Sequence, residues 1–166
     1  VALFRGFAPK EVTMPKSISL LSMRLLLAAG TVAAAIVTGP AGAEPRELKM
    51  TEHATTDAVT DTGASGDSAG DILTFANEVF DAEDKAKIGN DQGICFRTVV
   101  GKAWECFWTL TLDDGQITVE GPFNDTGDSV LAVTGGTGAY AGAQGEMALS
   151  PIGTEGKAYT FIYKLK

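Results

Sequence analysis

Histidine is nearly missing from this chain. His53 stands alone, which excludes any mechanism built on a His pair or a multi-His metal centre. Cysteine is almost as scarce: Cys95 and Cys106 are too few for a disulfide-framework mini-protein and match no zinc spacing. Clustered Lys or Arg are absent too. With Lys+Arg 13 against Asp+Glu 21 and a formal net charge of −8, the chain offers nothing to a phosphate backbone, so nucleic acid is not an expected partner. No apolar run reaches the roughly 20 residues of a membrane-spanning helix. What remains at 166 residues is one acidic domain with a tail.

The N-terminus has the parts of a secretory signal peptide. Lys16 and Arg24 precede an apolar run over 25–37, Ala41-Gly42-Ala43 supplies an Ala-x-Ala end, and Glu44-Pro45 follows. A buried helix is the other reading of that run, and a transit peptide would be richer in Ser and Arg. The expectation is an upstream segment plus signal peptide over 1–43, starting at Val1, Met14 or Met23. The exported domain is then 44–166, secreted or periplasmic, with no stable membrane anchor after cleavage. Cleavage removes Arg5, Lys10, Lys16 and Arg24 but only one acid, Glu11, so the domain is more acidic than the whole chain.

Within the domain, 54–70 is rich in Thr, Ala, Asp, Ser and Gly. It carries too little apolar surface to offset ordering entropy and reads as a polar flexible stretch. Elsewhere the pattern is strand-like. Candidates run over 47–55, 72–80, 92–100, 104–112, 116–123, 129–134, 145–150 and 158–165, separated by Gly- and Asp-rich turns. Asp114-Gly115 reads as a hairpin turn needing positive φ. No helical period separates the strands, so a parallel βαβ fold is not expected. Eight short strands close most simply as an all-β, eight-stranded antiparallel barrel, which removes sheet edges. Alternation puts Trp104, Cys106, Trp108 and Leu110 on one face, with Ile117, Val119 and Phe123 on another, and Tyr159, Phe161 and Tyr163 on a third. The inside is therefore aromatic; parity alone does not say whether it is filled or hollow.

Glycines at 136, 138 and 142 imitate a dinucleotide pattern, but no helix follows to meet a pyrophosphate, and a β-connection with positive-φ residues is the better reading. Cys95 and Cys106 fall opposite each other across a short turn at Gly101, so a cross-strand disulfide is geometrically open to them. Two free buried thiols are the alternative, and a catalytic thiolate lacks a nearby His base. Asn77 shares the phase of Leu73, Phe75 and Val79, and Glu52 that of Leu48 and Met50. A buried amide needs partners; a desolvated carboxylate needs a cation or a raised pKa. Arg97 could be that cation, or a solvated charge at the hairpin end. Most of the remaining acids fall in turns or outward phases and read as solubilising.

Ordered blocks of the sequence resemble the allene oxide cyclase family. They are Gly70-Asp-Ile-Leu-Thr-Phe75-Ala-Asn77, Lys87-Ile-Gly89 with Gly93-Ile-Cys95, Gln116-Ile-Thr-Val-Glu-Gly121-Pro122-Phe123, Asp128-Ser-Val-Leu-Ala-Val-Thr-Gly135-Gly136, Gly142-Ala-Gln-Gly145 and Tyr159-Thr-Phe-Ile-Tyr163. Dirigent proteins carry a similar Gly-Gly-Thr-Gly. The resemblance implies a calycin-like barrel, often a homotrimer, around an apolar cavity. Its cofactor-free, metal-free reaction opens an unsaturated fatty-acid epoxide and closes the resulting cation to a cyclopentenone. By position, Glu52 would stabilise the cation and Asn77 would hold an epoxide-binding water. Phe75, Cys95, Trp104 and Phe123 would wall the small hydrophobic substrate. The chain departs from the pattern at Ala54, where the family has asparagine, and at Phe123, where it has tyrosine. Cys106 stands in place of a small residue, and a Ser-Pro pair before Gly70 has no counterpart. A non-catalytic carrier of apolar ligands and dirigent-like stereocontrol are the alternative functions.

Overall fold

The computed structural model describes residues 45–166; the expected signal peptide and its cleavage site at Ala43 lie outside the described residues. Nine strands follow one another: β1 (Arg46–His53), β2 (Ala58–Thr60), β3 (Ile72–Phe80), β4 (Lys87–Val99), β5 (Ala103–Leu112), β6 (Gly115–Asn124), β7 (Ser129–Gly138), β8 (Gly145–Pro151) and β9 (Ala158–Leu165). Every pairing is antiparallel. The order β1-β9-β8-β7-β6-β5-β4-β3 closes where β1 returns to β3, giving the expected eight-stranded barrel.

Period-two alternation drives each strand. In β5, Trp104, Cys106, Trp108 and Leu110 are buried, and Leu131 with Val133 do the same in β7. Each such side chain contributes about 1.5–3 kcal/mol when removed from water. A one-residue slip would turn all of them outward, so the register is firmly set. Closure is brief: only Thr51, Glu52 and His53 pair with Phe80, Val79 and Glu78.

The first half of the β3 edge is covered by β2, whose Ala58, Val59 and Thr60 pair with Thr74, Leu73 and Ile72. The polar stretch 54–70 thus contains a short strand that its composition did not predict. The stretch lies along the barrel edge, held by polar bonds that its apolar content did not reveal. Asp71 accepts from the backbone N–H groups of Thr62 and Ser68. Arg97 Nε lies 2.6 Å from Asp67.

One turn differs from expectation in detail. The β5–β6 hairpin turns on Asp113 and Asp114, with Leu112 paired to Gly115. Gly115 has the expected positive φ, 154°, and is needed for a second reason: a Cβ there would collide with the Thr137 carbonyl of β7. At the β4–β5 turn, Gly101 supplies the left-handed position, with φ 66°.

Candidate active site

Glu52 and Asn77 meet inside the barrel because β1 closes on β3. Glu52 is 4% exposed and Asn77 1%. The Asn77 Nδ2 group donates to Glu52 Oε1 at 2.5 Å and to Asp57 Oδ1 at 2.8 Å. Its Oδ1 accepts from the backbone N–H groups of Thr55 and Thr56 and from the Thr56 hydroxyl. Both amide hydrogens are thus committed to carboxylates. The side chain clamps the turn after β1 and orients Glu52.

A second inward carboxylate faces the same space. Asp91, on β4 directly across from Asn77, is 1% exposed, and neither of its oxygens has a hydrogen-bond partner. Burial, and then the charge of Asp91, push the Glu52 carboxyl up to about 8; burial, and then the charge of Asp57, push Asp91 up to about 7. Two carboxyls sharing a dry site do not both ionise readily, so the pair titrates together and holds one proton near neutrality. The Tyr163 hydroxyl and the Trp108 indole N–H are likewise buried without a partner. Burial drives the Tyr163 phenol above its ordinary range.

Asp91 was not among the expected site residues. Its strand begins at Lys87 rather than 92, and the longer strand puts Asp91 in the inward phase of Gly93 and Cys95. That phase was the available signal.

The space these groups share is lined by Glu52, Asp57, Asp91, Phe75, Trp108 and Phe123 among others, and encloses about 30 Å³. That is room for about one water molecule, so the barrel is largely filled. Phe123 and Tyr159 meet edge to face, 5.8 Å between centroids. Both also line an outer groove of about 430 Å³ between the β6–β7 and β8–β9 loops.

Cys95 and Cys106 form a disulfide that is part of the inner wall. Phe75 and Phe123 line the space as expected; Trp104 does not. It lies beneath the Arg97 guanidinium, 4.0 Å from it, and Trp108 takes the wall position. The reason is register: Arg97 is paired directly with Trp104 and stacks on it. Arg97 is therefore not the partner of Glu52. It is held by Asp67 and Asp125 instead.

The family model for allene oxide cyclase matches residues 45–165. Among solved structures, a pyocyanin demethylase is 29% identical, with a TM-score of 0.65 over 73% of this chain and 100% of that one. A pterocarpan synthase dirigent protein is 14% identical, with a TM-score of 0.61 over 74% of this chain and 86% of that one. An exo-specific intermolecular Diels–Alderase is 16% identical, with a TM-score of 0.60 over 74% and 98% respectively. At those last two identities the likeness is one of fold.

Proposed function

Because the chain belongs to the allene oxide cyclase family, we propose that it is a cofactor-free isomerase, closing an unsaturated epoxide or a similar apolar polyene to a cyclopentenone at the barrel mouth. The observation that carries this is the buried Glu52–Asp91 pair at the base of an aromatic-walled space. Opening the epoxide C–O bond separates charge into an oxyanion and a delocalised cation, and ring closure cancels both, so no net proton or electron is consumed. The protonated member of the pair donates a hydrogen bond to the developing oxyanion while the carboxylate faces the cation. In a site that excludes water such fixed groups are worth far more than in solution. Asn77 is the positioning residue for Glu52, and Phe75, Trp108 and Phe123 restrict how the substrate folds.

The test supplies an allene oxide generated in situ and measures the enantiomeric excess of the cyclopentenone. An excess above the no-protein control is expected, and Glu52→Gln should reduce it while leaving apolar-ligand affinity nearly unchanged. A racemic product identical to the control refutes cyclase activity on that substrate. Stereocontrol of a reactive species made elsewhere is the second reading, favoured by the nearly filled centre beside an open groove. It is distinguished by product bias appearing only when a separate generator of that species is present.

A further inference from the structure

The inner space and the outer groove share two side chains. Phe123 and Tyr159 line both, and their rings meet edge to face. Tyr159 stands directly across from Glu52 in the β1–β9 ladder, so the aromatic pair is also the approach to the carboxyl pair. At about 30 Å³ the inner space is far below the roughly 300–1,000 Å³ of a small-molecule site, whereas the groove, at about 430 Å³, falls within that range. A substrate that reaches Glu52 and Asp91 therefore needs the groove as well, and it has to pass the two rings.

The groove suits an amphiphilic chain. Phe123, Tyr159 and Pro151 give it an apolar side, and Asn124, Thr126 and Thr154 a polar one. The acids that line it are already ion-paired, Asp125 with Arg97 and Glu155 with Lys157, so it presents no unmatched charge to a fatty-acid carboxylate. Little holds the aromatic pair shut. Both side chains are only partly buried, and the Tyr159 hydroxyl makes one long hydrogen bond, to the Gly156 carbonyl at 3.4 Å. In the loops that flank them, a Cβ on Gly127 or Gly153 would meet nothing within 4 Å, so neither loop is packed tightly there. An edge-to-face pair is worth about two- to tenfold in population, which leaves the parted state thermally accessible.

From this arrangement we infer that the outer groove is a substrate subsite holding the unreacted part of an amphiphilic unsaturated chain, and that Phe123 and Tyr159 determine specificity by parting to admit its polyene segment to Glu52 and Asp91. Parting joins groove and inner space into one pocket. The polar end of the chain stays with Asn124, Thr126 and Thr154, and the aliphatic part lies against the aromatic side. The inference rests on the proposed function and deepens it, by naming the subsite that holds the chain and the residues that select it.

The probe is cis-parinaric acid, a conjugated polyene fatty acid whose fluorescence rises on burial, mixed with the protein by stopped flow. It should bind at one site per chain. Phe123→Ala and Tyr159→Leu break the aromatic pair from either side, and each should raise the association rate constant by about threefold or more; Phe123→Trp should lower it. Thr126→Trp fills the groove from an exposed loop position, where folding is not at risk. It should weaken affinity about tenfold or more, the worth of roughly two buried methylenes. No binding of the probe, an association rate unmoved in both pair-breaking variants, or full affinity in Thr126→Trp would overturn the inference. If these changes fail to appear while the wild type yields cyclopentenone in enantiomeric excess, the inference alone is refuted. If they appear and the product is racemic, the cyclase reading alone is refuted.

Discussion

Replacing Asp91 with asparagine should make this protein more stable, by a margin that grows as pH rises between 3.8 and about 7. The wild-type carboxyl is buried with no hydrogen-bond partner and keeps its proton up to about pH 7, against an ordinary value of 3.8. Between those two values the folded state binds more protons than the unfolded chain, so stability falls as pH rises across that window. Each pH unit of the window is worth about 1.4 kcal/mol, which sums to about 4 kcal/mol. Water relaxing the charged form at the mouth lowers the expected loss to about 2–4 kcal/mol. Asparagine has the same shape and never ionises. At low pH the variant and the neutral carboxyl leave similar polar atoms unpaired, so they should match only below pH 3.8, where the unfolded carboxyl is protonated too. Near pH 8.5 the variant should lead, by about 10 °C in Tm for a domain of this size. The removal also withdraws the charge that is the second cause of the Glu52 shift, so the variant's remaining pH dependence should move toward lower pH. Thermal melts of the two proteins across this range decide the matter. Parallel Tm–pH curves, or a wild type that gains on the variant as pH rises, would refute the buried-charge reasoning.

Removing the disulfide by Cys95→Ala and Cys106→Ala together should cost about 3 kcal/mol, from the entropy of a loop closed at sequence separation 11. An unchanged urea midpoint would contradict this. Arg97→Met keeps a stem over Trp104 but strands Asp67 and Asp125. Because both acids are partly exposed, a loss of about 1–3 kcal/mol is expected, read as a lower Tm that high salt partly restores. Gly93→Ala places a Cβ 2.5 Å from the Trp108 Cβ and 2.7 Å from the Phe75 ring. Overpacking there should cost about 1–3 kcal/mol, and the near-ultraviolet circular dichroism of the tryptophans should change with it.

Much of the site was legible in residue phase. Glu52 and Asn77 betrayed themselves as polar residues in apolar phases, and both are buried and bonded to each other. Cys95 and Cys106 were placed opposite one another by a short turn, a local relation that needs no tertiary information, and they are bonded. Asp91 escaped because strand ends depend on neighbours: β4 extends back to Lys87 only because β3 and β5 pair with it there. Trp104 and Trp108 share a phase, and alternation cannot say which meets the cavity and which lies under a guanidinium. The polar stretch before Gly70 looked unable to order itself. Its order comes from the β3 edge, Asp71 and Arg97, none of which its composition contains.

The sequence by itself determined the all-β class, the inward and outward faces of each strand and the cross-strand juxtaposition of Cys95 and Cys106. All three follow from period-two alternation and from turns that join adjacent strands. Only the tertiary structure decided that Glu52 and Asp91 share one small space, because that depends on β1 closing on β3 and on the stagger of the whole barrel. Their reluctance to ionise together follows from that meeting. A carboxyl's charge in the interior is set by what surrounds it after folding, and no local run of residues carries that information.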